Sequence, residues 1–216
     1  MQFIGLGIGF AILALVILLF AIRLLLGENW LMGWLRGMFG LTLLALALTG
    51  GLIAYDISTY QEIPSDRPLL TLSAVAEGQQ RYRVTLLEGA IERSFLLDGD
   101  LWQLDVRQLH WKGLAHLIGL ESGYRLETLN GRFFTAEQQE LASFTQVDLA
   151  GSLYGVDFWQ WLRHFQKDLF IVDANPLRVN YLPIADGAVY SVSLAPTGLL
   201  AQPLNSAAKQ ALKDWQ

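Results

Sequence analysis

Three histidines, His110, His116 and His164, are the only imidazoles in the chain. No two of them stand at the spacing a zinc-binding helix or finger requires. Cysteine is absent, which removes disulfides, thiolate metal sites and cysteine nucleophiles together. Asp98-Gly99-Asp100 has the opening of a calcium loop but lacks the further oxygen ligands at fixed offsets, so it reads as a hairpin turn. In Gly151-Ser152-Leu153-Tyr154-Gly155 the serine directly follows the first glycine and the second glycine lies three beyond it. That is not the spacing of a nucleophile elbow. Gly5-x-Gly7-x-Gly9 sits inside an apolar run, where a helix already uses the amides that a phosphate loop would present. Carboxylates are spread evenly, and catalytic pairs can assemble from distant positions. The sequence therefore nominates no catalytic residue, no metal ligand and no cofactor site, and it leans away from an enzyme.

Charge is unevenly placed. Residues 1–60 carry only Arg23, Glu28, Arg36 and Asp56, so the formal charge of −5 belongs to the remainder. No basic run occurs, which argues against nucleic acid as a partner, because displacing counterions from phosphates needs a dense cationic field.

The elements that would position any site begin with two long apolar runs. Phe3 to Ile22 has no charge, and Gly37 to Tyr55 has none before Asp56. At about 1.5 Å rise per residue each approaches the roughly 30 Å of a bilayer's hydrocarbon core. Spans are expected over about 3–26 and 34–55, forming a transmembrane hairpin within 1–59. No basic residue precedes the first run and no small-x-small site follows it, which disfavours a cleaved signal peptide. Gly27-Glu28-Asn29 is the expected turn, with Trp30 and Trp34 at interfacial depth. Arg23 and Arg36 bracket this turn, whereas Asp56, Glu62 and Asp66 open the segment after the second span. The positive-inside rule then holds the turn in the cytoplasm and both termini outside. For a bacterium this means a two-pass inner-membrane protein with a periplasmic C-terminal domain. Gly5/Gly9 and Gly33/Gly37 have the four-residue spacing of close helix approach. They suit either a homodimer seam or packing of the two helices on each other. Neither span holds an interior acid, histidine or lysine, which counts against a proton- or cation-coupled path.

Residues 60–68, with Pro64 and Pro68, read as a linker, and 69–216 as a β-rich domain. In RYRVTLLE, Tyr82, Val84 and Leu86 alternate with polar neighbours as in a half-buried strand. Asp98-Gly99 and Asn130-Gly131 are expected hairpin turns, and Pro196-Thr197-Gly198 turns VYSVSL into LLAQPL. A stripe of Phe158, Trp161, Leu162, Phe165 and Leu169 predicts a helix covering one face of the sheet, with a membrane-surface helix as the alternative. Thr135 with Gln138 fits a capping box, although a strand through 132–148 competes. Ser206 to Trp215 reads as a terminal helix burying Ala208, Leu212 and Trp215. The expected class is α+β: a two-helix transmembrane hairpin, then a mainly antiparallel sandwich or small barrel with one to three short helices.

Trp111-Lys112-Gly113, Tyr124-Arg125-Leu126 and the Leu182 to Tyr190 segment (L-P-x-A-D-G-x-x-Y) resemble an uncharacterised family of small bacterial inner-membrane proteins with two N-terminal spans. Its members are often labelled multidrug transporter or cation/multidrug efflux pump. The resemblance implies a Gram-negative envelope location and carries no site residue with it. Two spans in one chain cannot enclose a polar route, and these offer no coupling carboxylate. The expected function is a membrane-anchored periplasmic binding or scaffold domain whose partners are the bilayer and an envelope protein or amphipathic ligand. An accessory subunit of an export system and an envelope-modifying enzyme are the alternatives.

Overall fold

The structure is a computed structural model that describes residues 2–25, 30–64, 67–141, 145–150, 155, 157–164, 171–195 and 197–215. In chain order the elements are α1 (Gln2–Leu25), α2 (Trp30–Ser58), β1 (Gln61–Glu62), β2 (Leu70–Gly78), β3 (Arg81–Glu88), β4 (Ile91–Asp98) and β5 (Leu101–Trp111). There follow α3 (Leu114–Leu117), β6 (Gly123–Arg132), α4 (Ala136–Leu141), β7 (Gln146–Asp148), α5 (Phe158–His164), β8 (Val172–Pro183), β9 (Val189–Ala195), β10 (Gly198–Pro203) and α6 (Ser206–Trp215). The class is α+β, with N-terminal helices followed by antiparallel sheets. The expected turn Gly27-Glu28-Asn29 lies outside the described residues, as do Pro196 and most of 151–155.

The chain divides into two compact units. One comprises Met1–Glu62, Trp111–Gly123 and Ser152–Asp173; the other comprises Ile63–His110, Tyr124–Gly151 and Ala174–Gln216.

In the first unit, leucine, alanine and isoleucine run all round α1 and α2, so neither helix has a polar face. Thr42 and Thr49 turn their hydroxyls back to the carbonyls of Met38 (2.9 Å) and Ala45 (2.8 Å), so α2 satisfies them internally. The segment Met32–Ser58 is long and apolar enough to cross a membrane, whereas Gly7–Arg23 is a shorter apolar segment. The two helices meet on small residues: the Cβ position of Gly7 lies 3.6 Å from both the Ala54 carbonyl and Ser58 Cβ. Gly5 and Gly9 have open space instead. Two residues of helix turn the chain by about 200°, which places Gly7 opposite its glycine neighbours. The four-residue pair therefore does not make the contact with α2.

The amphipathic helix belongs to this first unit and packs on α2, which corrects the expectation that it covers a sheet. Its described part is α5, and Phe165 and Leu169 lie outside the described residues. Phe158 and Leu162 of the expected stripe are half-buried, but Trp161 is 48% exposed and Trp159 is buried in its place. Asp157 Oδ1 accepts from Gln160 N–H (2.9 Å) as a cap, and Asp56 Oδ2 accepts from Phe158 N–H (3.1 Å). Two carboxylates thus accept from two amides of the first turn.

In the second unit one antiparallel sheet runs β10-β9-β2-β3-β4, and another carries β6, β5 and β8 side by side with β7 on β6. Alternation in β3 buries Val84 and Leu86, as expected, and β9 and β10 form the expected hairpin. Side chains of both sheets and α6 join in one apolar cluster that includes Leu72, Leu86, Trp102, Leu104, Tyr190 and Ala208. Trp102 and Tyr190 rings lie 5.3 Å apart at 56°. Asn205 caps α6: its Oδ1 accepts from Ala208 N–H (3.0 Å) and Val189 N–H (3.2 Å). Trp215 is 45% exposed rather than buried. The Thr135 and Gln138 pair opens α4, with the threonine hydroxyl donating to Gln138 Oε1 at 2.8 Å, and among the described residues of 133–148 the competing strand is seen only as β7.

Neither expected Gly turn in the middle of the chain is a hairpin. β4 and β5 belong to different sheets, so Asp98-Gly99-Asp100 is a corner where the chain changes sheet; Asn130 and Gly131 lie within β6. The reason is a crossing. A Cβ on Gly131 would stand 2.2 Å from the Asp98 carbonyl oxygen, and one on Gly99 (φ 143°) would stand 2.7 Å from Arg132 N. Glycine here permits backbone to approach backbone. Asp100 N–H donates to the Arg132 carbonyl (2.9 Å), and the Asp100 carboxylate accepts from Phe134 N–H and Gln80 Nε2.

Candidate functional site

His110 is the penultimate residue of β5, His116 lies in α3 and His164 closes α5, and all three are exposed. Among the described residues no group of three histidine or acidic side chains could hold a metal ion. The serine of Gly151-Ser152-Leu153-Tyr154-Gly155 lies outside the described residues.

Polar side chains concentrate on β5 and its neighbours in the second unit. Alternation sends Trp102, Leu104 and Val106 into the core and places Gln103, Asp105 and Arg107 on the other face. Asp105 Oδ1 accepts from Arg178 Nε (2.5 Å), and Oδ2 accepts from Thr128 Oγ1 (3.0 Å) and Asn130 Nδ2 (3.1 Å). Gln103 Nε2 reaches both oxygens at 3.2 Å. Beside it Arg107 Nη2 donates to Glu127 Oε1 at 2.9 Å. The bond to Asp105 and its charge raise the Arg178 guanidinium above its ordinary value. Donors from three strands occupy the lone pairs of Asp105, so it has none left to receive a substrate proton. The network fastens β5, β6 and β8 together.

Glu88, like Asp98, is a buried acid of the second unit. Its Oε2 accepts from Arg93 Nη2 at 2.9 Å. Burial, and after it the Glu88 carboxylate, holds the Tyr124 hydroxyl well above the ordinary tyrosine value. Burial alone pushes Tyr190 up to about 12, and its hydroxyl donates to the Pro183 carbonyl at 2.7 Å. Both phenols are neutral donors at physiological pH, a state suited to holding strands and unsuited to acting as bases.

Concave apolar surface lies in the first unit. Gly5, Gly9, Phe10 and Leu13 of α1 face Ile118, Gly119 and Leu120 across an open groove of about 540 Å³. A second groove of about 430 Å³ runs between α1 and α2 past Ala11, Ala14, Ala47 and Gly51. The volumes suit a small apolar ligand, but neither groove carries the convergent polar groups that orient a substrate. Sequence reading missed the first groove because its far wall comes from a separate stretch. The signal was there in Gly113-Leu114-Ala115-His116-Leu117-Ile118-Gly119-Leu120, an apolar run bounded by glycines inside a region of strand alternation.

No protein-family model, no curated protein and no solved structure matches this chain.

Proposed function

We propose that the chain is a two-pass inner-membrane protein of the bacterial envelope. In this reading α1 and α2 form a transmembrane hairpin and the second unit is a periplasmic β-sandwich that works as a non-catalytic binding or scaffold module. The observation that carries the reading is α2. Between Arg36 and Asp56 it has about 28 Å of uncharged apolar helix, with side chains such as Leu48 at 66% exposure, and it is followed by a unit that has its own core. A helix apolar on every side asks for hydrocarbon around it. Arg23 and Arg36 supply the orientation, because short loops flanked by basic residues stay in the cytoplasm. The saturated Asp105 carboxylate and the ion-paired Glu88 support a structural rather than a catalytic β unit.

Reporter fusions test the topology. Alkaline phosphatase joined after Gln216 should be active, and a cytoplasm-active reporter within residues 26–32 should be active too. An inactive phosphatase on a stably produced fusion reverses the placement.

A further inference from the structure

We infer that residues Gly113–Leu120 form an apolar finger embedded in the bilayer beside α1, and that phospholipid acyl chains fill the groove between the two. The inference rests on the reading of α2 as a membrane span. Leu114, Leu117 and Ile118 are 76%, 79% and 77% exposed, above every other large hydrophobic side chain among the described residues. Contiguous apolar exposure of this kind needs a partner that is not water.

The backbone of the finger is prepared for that partner. Ala115, Leu117, Ile118, Gly119 and Leu120 each donate their N–H to a carbonyl between Lys112 and His116, at 3.0 to 3.2 Å. Polypeptide in hydrocarbon must satisfy its own amides, and these five amides are satisfied within the segment and its base without α-helical length. Gly113 (φ 56°) and Gly119 (φ 85°) supply the left-handed bends at its two ends. Lysine and carboxylate are confined to the base, where the Lys112 ammonium pairs with Asp173 and Lys112 N–H donates to the Ile171 carbonyl at 2.8 Å, and His116 is the one polar side chain within the finger itself. An apolar tip over a polar base is the profile of a segment dipping into the headgroup boundary.

Continuity and size identify the occupant. Ile118, Gly119 and Leu120 share the groove with Gly5, Gly9, Phe10 and Leu13, so the finger extends the exposed apolar surface of α1. A helix from a second copy is about 10–12 Å across, and 540 Å³ would accept only about one turn of it. A single alkyl chain is far thinner and suits the space between the finger and the bare face of Gly5 and Gly9.

The test places a photoreactive benzophenone amino acid at Leu117, at Leu48 of α2 or at Leu87 of β3. The full chain is reconstituted in vesicles of phosphatidylethanolamine and phosphatidylglycerol and irradiated, and adducts are identified by mass. Phospholipid adducts at Leu117 should come within about threefold of Leu48 and exceed Leu87 by about tenfold. Adducts at Leu48 with none at Leu117 overturn the finger and leave the membrane reading of α2 standing. Protein-to-protein adducts at Leu117 in place of lipid would make this face an interface between copies. Absence of lipid adducts at Leu48 would remove the membrane reading and the finger with it.

Discussion

Gly131→Ala should be among the most damaging single-methyl additions in the β unit, because the crossing of β6 over the Asp98-Gly99-Asp100 corner leaves no room for a side chain. The new Cβ would stand 2.2 Å from the Asp98 carbonyl oxygen and 3.0 Å from Leu97 Cγ. Carbon and carbonyl oxygen ordinarily approach to about 3.3 Å, so the backbones must part by about 1 Å. Overpacking of this order costs about 1–3 kcal/mol. Parting also stretches two bonds, Asp100 N–H to the Arg132 carbonyl (2.9 Å) and Gly131 N–H to the Thr145 carbonyl (2.7 Å), at about 1 kcal/mol each. The expected loss is about 3–5 kcal/mol, a large share of the roughly 5–15 kcal/mol that holds a domain. Gly89→Ala is the control: its φ is 62° with nothing within 4 Å, so only conformational strain of about 1–2 kcal/mol applies. Urea titration of the full chain in mild detergent, followed by tryptophan emission, reads both. With a slope near 2 kcal/mol/M the midpoint should fall by about 1.5–2.5 M for Gly131→Ala and about 0.5–1 M for Gly89→Ala. A Gly131→Ala shift no larger than the control would refute the crossing as the reason for the glycine.

Two further outcomes follow from the buried polar groups. Folded Tyr190 ionises near 12 and Tyr124 is also raised, against 10.0 for a free phenol. Between about pH 10 and 12 the folded state keeps protons that the unfolded state releases, so stability is complete below pH 10 and falls as pH rises, by roughly 1.4 kcal/mol per unit for each phenol. Tyr190→Phe should cost about 1–2 kcal/mol at neutral pH and make the alkaline decline of the urea midpoint shallower; an unchanged decline would contradict the assignment. Asp56→Ala removes the acceptor of Phe158 N–H and should speed amide exchange over Phe158–His164 by about tenfold to a hundredfold, while Asp56→Asn, which keeps a carbonyl oxygen, recovers most of it. Equal exchange in the two variants would show that this bond does not hold α5.

What the sequence revealed was local. Alternation in Arg81 to Glu88 fixed a strand and its buried face, the turn before Gly198 joined β9 to β10, and the run from Ser206 gave α6. Each depends on neighbours a few residues away. Asp98-Gly99 and Asn130-Gly131 misled for the opposite reason. Their composition suits a two-residue turn, but the need for glycine comes from each other's strands, some thirty residues apart, and no window along the chain contains that demand. The saturation of Asp105 was equally hidden, because its donors arrive from β6 and β8.

The excursions Trp111–Gly123 and Ser152–Asp173 show a different kind of blindness. Both leave the strand pattern and join the unit of α1 and α2. Judged by the rule that apolar residues seek the interior, Leu114, Leu117 and Ile118 should have been core, and the stripe on α5 should have faced a sheet. Instead Ala115 and Trp159 are buried while Leu114, Leu117, Ile118 and Trp161 face outward. The rule presumes water as the solvent. Hydropathy records only that a side chain avoids water, and it is silent on whether protein or lipid receives it. Under the proposed membrane reading, outward apolar residues on these excursions and the inward apolar Trp102, Leu104 and Val106 of β5 obey the same principle in two solvents. The distinguishing mark in the sequence is then an apolar run with self-bonding glycine ends, too short to span and too exposed to be core.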